Sequence, residues 1–322
     1  TSGLDPTDPT DVQRDADGDF LLNNEEYLFG SDAQDANSPD FTYVDDDAAG
    51  SPMQDGSLAH PYEAIQLAID ATSPPAVVKV LPGTYNEAIV IPYAVWVVGP
   101  GAPLATINAG NMSHAVQFID AGDGLLAGFA VTAGGTTYHG LRTTGLSSPT
   151  IRNCTFTGSR SGVGLAGDGL PCVVDCLIAD NSHQGIFTGD TAMPTICNCT
   201  IADNGANGIV KWGSGFITIT DSILWGNADD INGDPATFVV TCCNVGDGDF
   251  AGINGSFSAD PLFVSGPLHD YYLSQIAAGQ GADSPCLDAG SDTAAMLGLD
   301  ELTTRTDGAP DAGLADLGYH AP

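Results

Sequence analysis

The chain has 322 residues, with seven Lys and Arg against 41 Asp and Glu, a formal net charge of -34. That balance excludes recognition of nucleic-acid phosphates or an anionic membrane surface by charge, and no run of 18 or more apolar residues offers a membrane span. With 43% hydrophobic residues the chain can bury a core, while 41 Gly and 20 Pro point to many short elements joined by many turns.

The N-terminal residues Thr1-Ser2-Gly3, without Met or an apolar leader, fit a secreted protein that has lost its signal peptide, or a truncated piece. Acidic residues crowd the first 55 positions. Asp15, Asp17, Asp19, Asn23 and Glu26 fall at positions 1, 3, 5, 9 and 12 of a loop in which Leu21, at position 7, offers its backbone carbonyl. Alternate oxygens on a curling loop converge on one hard cation, and Ca²⁺ takes about six to eight of them. Position 6, where such loops carry Gly, holds Phe20, and the Gly stands at position 4 as Gly18. A solvated acidic linker is the competing reading. With the run Glu25-Glu26-Tyr27-Leu28-Phe29-Gly30-Ser31-Asp32, the segment resembles the thrombospondin type 3-like calcium repeats of secreted bacterial proteins, which implies a short helix ending at Gly. Asp32, Asp35, Asn37 and Asp40 form a partial second site.

Residues 1–40 are therefore expected to be a calcium-binding segment and residues 41–75 a strand and helix cap. Pro61 to Ala71 carries apolar residues at helical spacing, with Pro61 suited to a first turn. A strand over 76–81 follows.

From residue 76 to 264 the chain repeats. Cys154, Cys176, Cys199, Ser222 and Cys243 occupy one column with steps of 22, 23, 23 and 21. Gly140, Gly162, Gly185, Gly208 and Asp230 keep a second, with steps of 22, 23, 23 and 22. Two columns sharing one period predict an all-β fold, a right-handed parallel β-helix of about eight rungs and about 40 Å. Stacking turns Cys154, Cys176, Cys199 and Cys243 inward beside Phe156, Ile178, Ile201 and Leu224. It leaves Asn153, Asp175, Asn198 and Asp221 in tight turns that tolerate left-handed backbone. The inward thiols either pack as small hydrophobes or pair, Cys176 with Cys199, and Cys286 is a candidate partner for Cys242 or Cys243. No CxxC pair suggests zinc.

Phe41-Thr42-Tyr43-Val44-Asp45, Leu81-Pro82-Gly83-Thr84-Tyr85, Asp260-Pro261-Leu262-Phe263, Ser284 to Gly290 and Asp316 to His320 resemble the opening and closing segments of right-handed parallel β-helix proteins. That resemblance implies a closing segment over 265–322. Pectate lyases, glycoside hydrolases and phage tailspikes share the fold, so the fold does not choose a function.

A lyase needs Lys or Arg near calcium, and the cations form no cluster along the sequence; Arg142 and Lys211 stand three rungs apart. Lys211 and Trp212 form a candidate glycan contact. No paired carboxylates, aligned His or serine-nucleophile motif stands out. The expectation is a secreted or cell-surface protein, calcium-binding, with a structural, adhesive or fibre-forming role and end-to-end self-association. The alternatives are a polysaccharide lyase or glycoside hydrolase, and a non-catalytic module binding extracellular polysaccharide.

Overall fold

The computed structural model describes Asp8 and residues 10–322. Three parallel sheets run along one coil. Sheet I has nine strands, from Phe41–Val44 and Val77–Val80 to Phe238–Thr241; sheet II has eight, from Gly83–Tyr85 to Asn244–Val245; sheet III has seven, from Ile89–Ile91 to Asp229–Asn232. The seven strands of sheet III give about seven complete turns, close to the eight expected from the period. Registers put like on like: Ile151, Val173, Ile196 and Ile219 stack in sheet I, and Phe156, Ile178, Ile201 and Leu224 in sheet II. All are fully buried, and each such side chain contributes about 1.5–3 kcal/mol relative to exposure.

The corner between sheets I and II is one residue in left-handed backbone. Asn153, Asp175, Asn198 and Asp221 have φ between 46° and 52°, and Cys242 takes the same place in the last turn. The next corner holds a ladder that the sequence reading missed. The Nδ2 of Asn181 donates to Oδ1 of Asn204 at 3.0 Å, and that of Asn204 to Oδ1 of Asn227 at 3.0 Å. These buried amides also cap the turn backbone, so the corner has no unsatisfied groups to expose. Their steps of 23 were a third column in plain sight.

Both ends are closed. At the first turn, Ile65, Ala68 and Ile69 of the helix Ile65–Ala71 enter the core. The helix starts later than Pro61 because the Glu87 carboxylate accepts the Ile65 and Gln66 amides at 2.7 and 3.0 Å, fixing the first turn there. At the last turn, Phe250 packs against the core edge-on to Phe238, and Phe257 pairs with Asn244. The chain itself therefore covers the core at the last turn.

The terminal segments lie along the sides of the coil. Leu21, Phe20 and Phe29 pack on outward residues of sheet I, namely Val77, Trp96, Val98, Leu125 and Ala127. The C-terminal segment covers sheet II: Tyr271, Tyr272, Tyr319 and Ala321 meet Leu177, Ala179 and Ala202, while Leu273, Cys286 and Leu317 meet Ile223. Its clamp is the buried His320, whose Nε2 lies 3.0 Å from the Asp311 carboxylate and whose amide donates to Asp175 of the coil at 2.7 Å. Sheet III receives neither segment.

All eight cysteines are free thiols. Cys176 and Cys199 line the interior, where each thiol bonds backbone carbonyls of its own and the preceding turn. The expected bridge from Cys286 to Cys242 or Cys243 is not formed. Cys243 points into the coil, Cys242 occupies the left-handed corner, and Cys286 lies on the outer side of sheet II, receiving a hydrogen bond from Asn244.

Candidate cation site and binding face

The acidic loop is held on the coil before any ion is considered. Asp15 carboxylate oxygens accept the amides of Gly18, Asp19 and Phe20 at 2.8, 3.1 and 2.8 Å, which curls the loop. Phe20, at the position that would carry Gly, has φ 80°, and Gly18 has φ 77°. A non-Gly residue there is strained. Offsetting it, the Phe20 ring packs on sheet I and under the Lys79 ammonium, and the Phe20 carbonyl accepts Nη2 of Arg152 at 2.7 Å. Arg152 also grips Glu25, with Nε to Oε1 at 2.8 Å and Nη2 to Oε2 at 2.7 Å, both side chains nearly buried. Glu25 lies in the helix Asn23–Phe29, which ends at left-handed Gly30, as the repeat resemblance implies.

Ligand oxygens of Asp15, Asp17 and Asp19 lie within 4.8 Å of one another. Asp19 and Glu26 are fully buried, and both Asp17 oxygens, Oδ2 of Asp19 and Oε2 of Glu26 are buried without a hydrogen-bond partner. Burial first, then the neighbouring carboxylates, pushes Glu26 up to about 7; burial, with Asp17, pushes Asp19 up to about 6 against the pull of the Leu21 amide. Unpartnered carboxylate oxygens inside a protein are costly, and a hard cation is the group that satisfies several at once. The donor set suits a hard cation: Asp15, Asp17 and Asp19 would hold it, with Glu26 and the Leu21 carbonyl at the remaining loop positions.

The five other expected ligands stand apart from this set. Asn23 braces the loop, accepting the Ala16 amide at 3.3 Å and donating to the Asp11 carbonyl at 2.6 Å. Asp32, Asp35, Asn37 and Asp40 do not gather into a second site: Asp35 caps the Asn37 amide, and the Asp32 amide is spent on Ser38. The other acidic cluster among the described residues, Asp229, Asp247 and Asp249 beside the last turn, was not foreseen. It is largely exposed.

Sheet III carries the second feature. His114, His139, Phe187 and Trp212 follow one another along its outer side. The rings of His114 and His139 stack at 5.0 Å and 7°, those of His139 and Phe187 at 6.3 Å and 10°, and Phe187 meets Trp212 edge-on at 5.0 Å. Trp212 is 70% exposed. Tyr138 packs edge-on against His114, and Arg142 reaches toward the His114 Nε2 at 3.5 Å. The His cluster was not legible because His114 and His139 come from different turns and meet only when coiled. Lys211 folds its ammonium onto the Gly213 carbonyl beside Trp212.

Residues 106–257 match the family model described as the right handed beta helix region. Among curated proteins none matches the sequence. Among solved structures, a pectate lyase aligns with a TM-score of 0.49 at 16% identity, over 86% of this chain and 96% of that one. Three parallel sheets, repeating registers and the matched region together identify the coil as a right-handed parallel β-helix.

Proposed function

We propose that this is a secreted, calcium-stabilised β-helix that binds an extracellular polysaccharide along the outer side of sheet III. The observation that carries the reading is the ring run from His114 to Trp212 on the one sheet that neither terminal segment covers. Four turns separate its ends, about 19 Å at the inter-strand spacing, enough for several sugar units. Aromatic rings present broad apolar faces to the C–H faces of sugars, and a half-exposed row of them on a rigid scaffold costs little to order.

The closed ends favour this adhesive role over a fibre built end to end. Calcium acts in the reading as a brace, fixing residues 10–40 across sheet I and leaving sheet III open. Tyr271 and Tyr272, buried between the C-terminal segment and sheet II, take no part.

Binding of the purified protein to immobilised neutral and acidic polysaccharides, with and without Trp212→Ala, tests the proposal. Retention that falls at least tenfold in the variant supports it. Binding unaffected by Trp212→Ala, or absent across the panel, refutes it. Release of reducing ends or unsaturated products in the same samples would convert the binder into an enzyme.

A further inference from the structure

The seven cations are not used alike. Arg14 pairs with Asp300 at 2.9 Å, Arg152 with Glu25 at 2.7 Å and Arg305 with Asp307 at 2.7 Å. Lys79 sits over the rings of Phe20 and Phe41, beside the loop carboxylates. Among the described residues the other three, Arg142, Arg160 and Lys211, enter no salt bridge, in a chain with 41 acidic residues. All three belong to sheet III or the turn leading into it: Arg142 in Leu141–Thr144, Arg160 just before Val163–Leu165, Lys211 closing Asn207–Lys211.

Around His139, Arg142 and Arg160 make a local positive site. Arg142 and Arg160 both act on its ring, which burial first, and then His114 and these two guanidiniums, hold down to about 4; burial and Arg142 lower His114 in the same way. Both imidazoles are thus uncharged at neutral pH, ring surfaces bearing hydrogen-bonding nitrogens. Nδ1 of His139 is buried and has no partner. Two acids at the turns of this sheet are committed to backbone amides, Asp120 to that of Leu146 at 3.1 Å and Asp190 to that of Gly167 at 3.0 Å, while Asp229, with Asp247 and Asp249, lies at the last strand, next to that of Lys211. Gly164, next to Arg142 in the adjacent strand, faces the His139 ring, which lies within van der Waals contact of where a Cβ would stand.

We propose that sheet III selects an acidic polysaccharide: Arg142 and Arg160 take one uronate carboxylate over His139, Phe187 and Trp212 take neighbouring sugar rings, and Lys211 meets a second carboxylate further along. The proposal rests on the polysaccharide reading above and adds the charge class of the ligand. Guanidiniums suit a carboxylate because their donors form a planar fork. The unfavourable net charge of the chain acts at long range and is screened over about 8 Å at physiological salt, whereas these contacts are direct.

The test compares affinities backbone by backbone, using neutral polysaccharides, their C6-oxidised uronate forms and their sulfated forms, in the calcium-loaded protein. The uronate form is expected to bind at least tenfold more tightly than its neutral parent, with affinity falling as salt rises. Arg142→Gln and Arg160→Gln should each remove about tenfold or more of the uronate affinity and cost the neutral parent several-fold less, and Arg142→Lys should restore part of the uronate affinity. Neither arginine is in a salt bridge, so thermal unfolding of these variants should match the parent and separates lost binding from lost fold. Equal binding of neutral and uronate forms, preference for sulfate over carboxylate, or uronate affinity untouched by both substitutions overturns the proposal while the polysaccharide reading stands. Failure of every backbone to bind overturns both.

Discussion

Arg152→Met asks whether the calcium segment is a brace or a tether. In the folded protein Arg152 makes two short bonds to Glu25 and one to the Phe20 carbonyl, its side chain 12% and that of Glu25 13% exposed. Removing one partner of so enclosed a pair leaves Glu25 with an uncompensated charge, at a cost of about 3–5 kcal/mol; partial exposure argues for the lower figure. Nearly all of that loss should fall on the docking of residues 10–40, because the Met side chain retains packing on sheet I while the coil core is untouched. About 3 kcal/mol is a rise of roughly a hundredfold in the undocked population. Hydrogen exchange of the amides of Phe20, Leu21 and Leu22 should accelerate by that factor, with limited proteolysis cutting within residues 10–40 while sheets I–III remain protected. Glu25→Gln combined with Arg152→Met should lose less than Arg152→Met alone, since no charge is then stranded. Unchanged exchange in Arg152→Met, or a double variant as damaged as the single, would refute the reasoning.

Calcium should raise the thermal midpoint of the parent and protect residues 10–40 from proteolysis, by about 2.7 kcal/mol at a hundredfold excess over the dissociation constant; Asp19→Asn with Glu26→Gln should abolish the response, and magnesium should reproduce little of it. The C-terminal clamp should be pH-dependent. Burial pushes Asp175 up to about 7 despite His320, and the Asp311 hydrogen bond with the charges of Asp175 and Asp311 raises His320 against its own burial. Both groups then hold more protons folded than unfolded, so stability of the docked segment should fall as pH rises from about 4 through 7 and beyond, measured by exchange at Tyr319 and Ala321, with His320→Asn flattening the upper part. Asp311, held below the usual carboxylate range by His320 despite burial, works the other way only at acid pH. Phe250→Ala should uncover the core at the last turn and produce concentration-dependent association in ultracentrifugation; a variant that stays monomeric and equally stable would show that Phe250 is not the plug.

The coil was legible because stacking turns sequence period into spatial columns: whatever residue suits a corner or an inward position recurs every 21 to 23 residues. Cys154, Cys176, Cys199 and Cys243 announced the interior, and Asn153, Asp175, Asn198 and Asp221 a left-handed corner. The acidic loop was legible for the opposite reason, since its clustered carboxylates are local in sequence. The destination of the terminal segments was not, although a trace existed. Val77 and Val78, or Leu177, Ile178 and Ala179, are apolar on both faces of their strands, which means that something covers the outside; Thr195, Ile196 and Cys197 alternate with a polar outer position. Which segment covers which sheet depends on contacts far apart in sequence, such as Arg152 with Glu25 and His320 with Asp175, and spacing carries no record of them.

That arrangement gives the unpaired cations their meaning. An exposed salt bridge is worth about 0–1 kcal/mol, so stability alone asks neither for pairing Arg142, Arg160 and Lys211 nor for leaving them free. Yet acids outnumber cations 41 to seven, and turn carboxylates such as Asp120 and Asp190 belong to the same sheet. These acids are held by backbone amides, a bond that fixes a carboxylate where it cannot swing to a neighbouring guanidinium. The corner acids of sheet II have the same effect by another route, Asp180 and Asp203 accepting the buried Tyr271 hydroxyl at 3.3 and 3.1 Å. Each acid secured in this way is one fewer competitor for the cations of sheet III. Replacing Asp190 by Asn would therefore do little to the face, whereas placing a new acid within reach of Arg142, as in Gln117→Glu on the strand paired with it, should fill the site from within and lower uronate affinity without changing the fold.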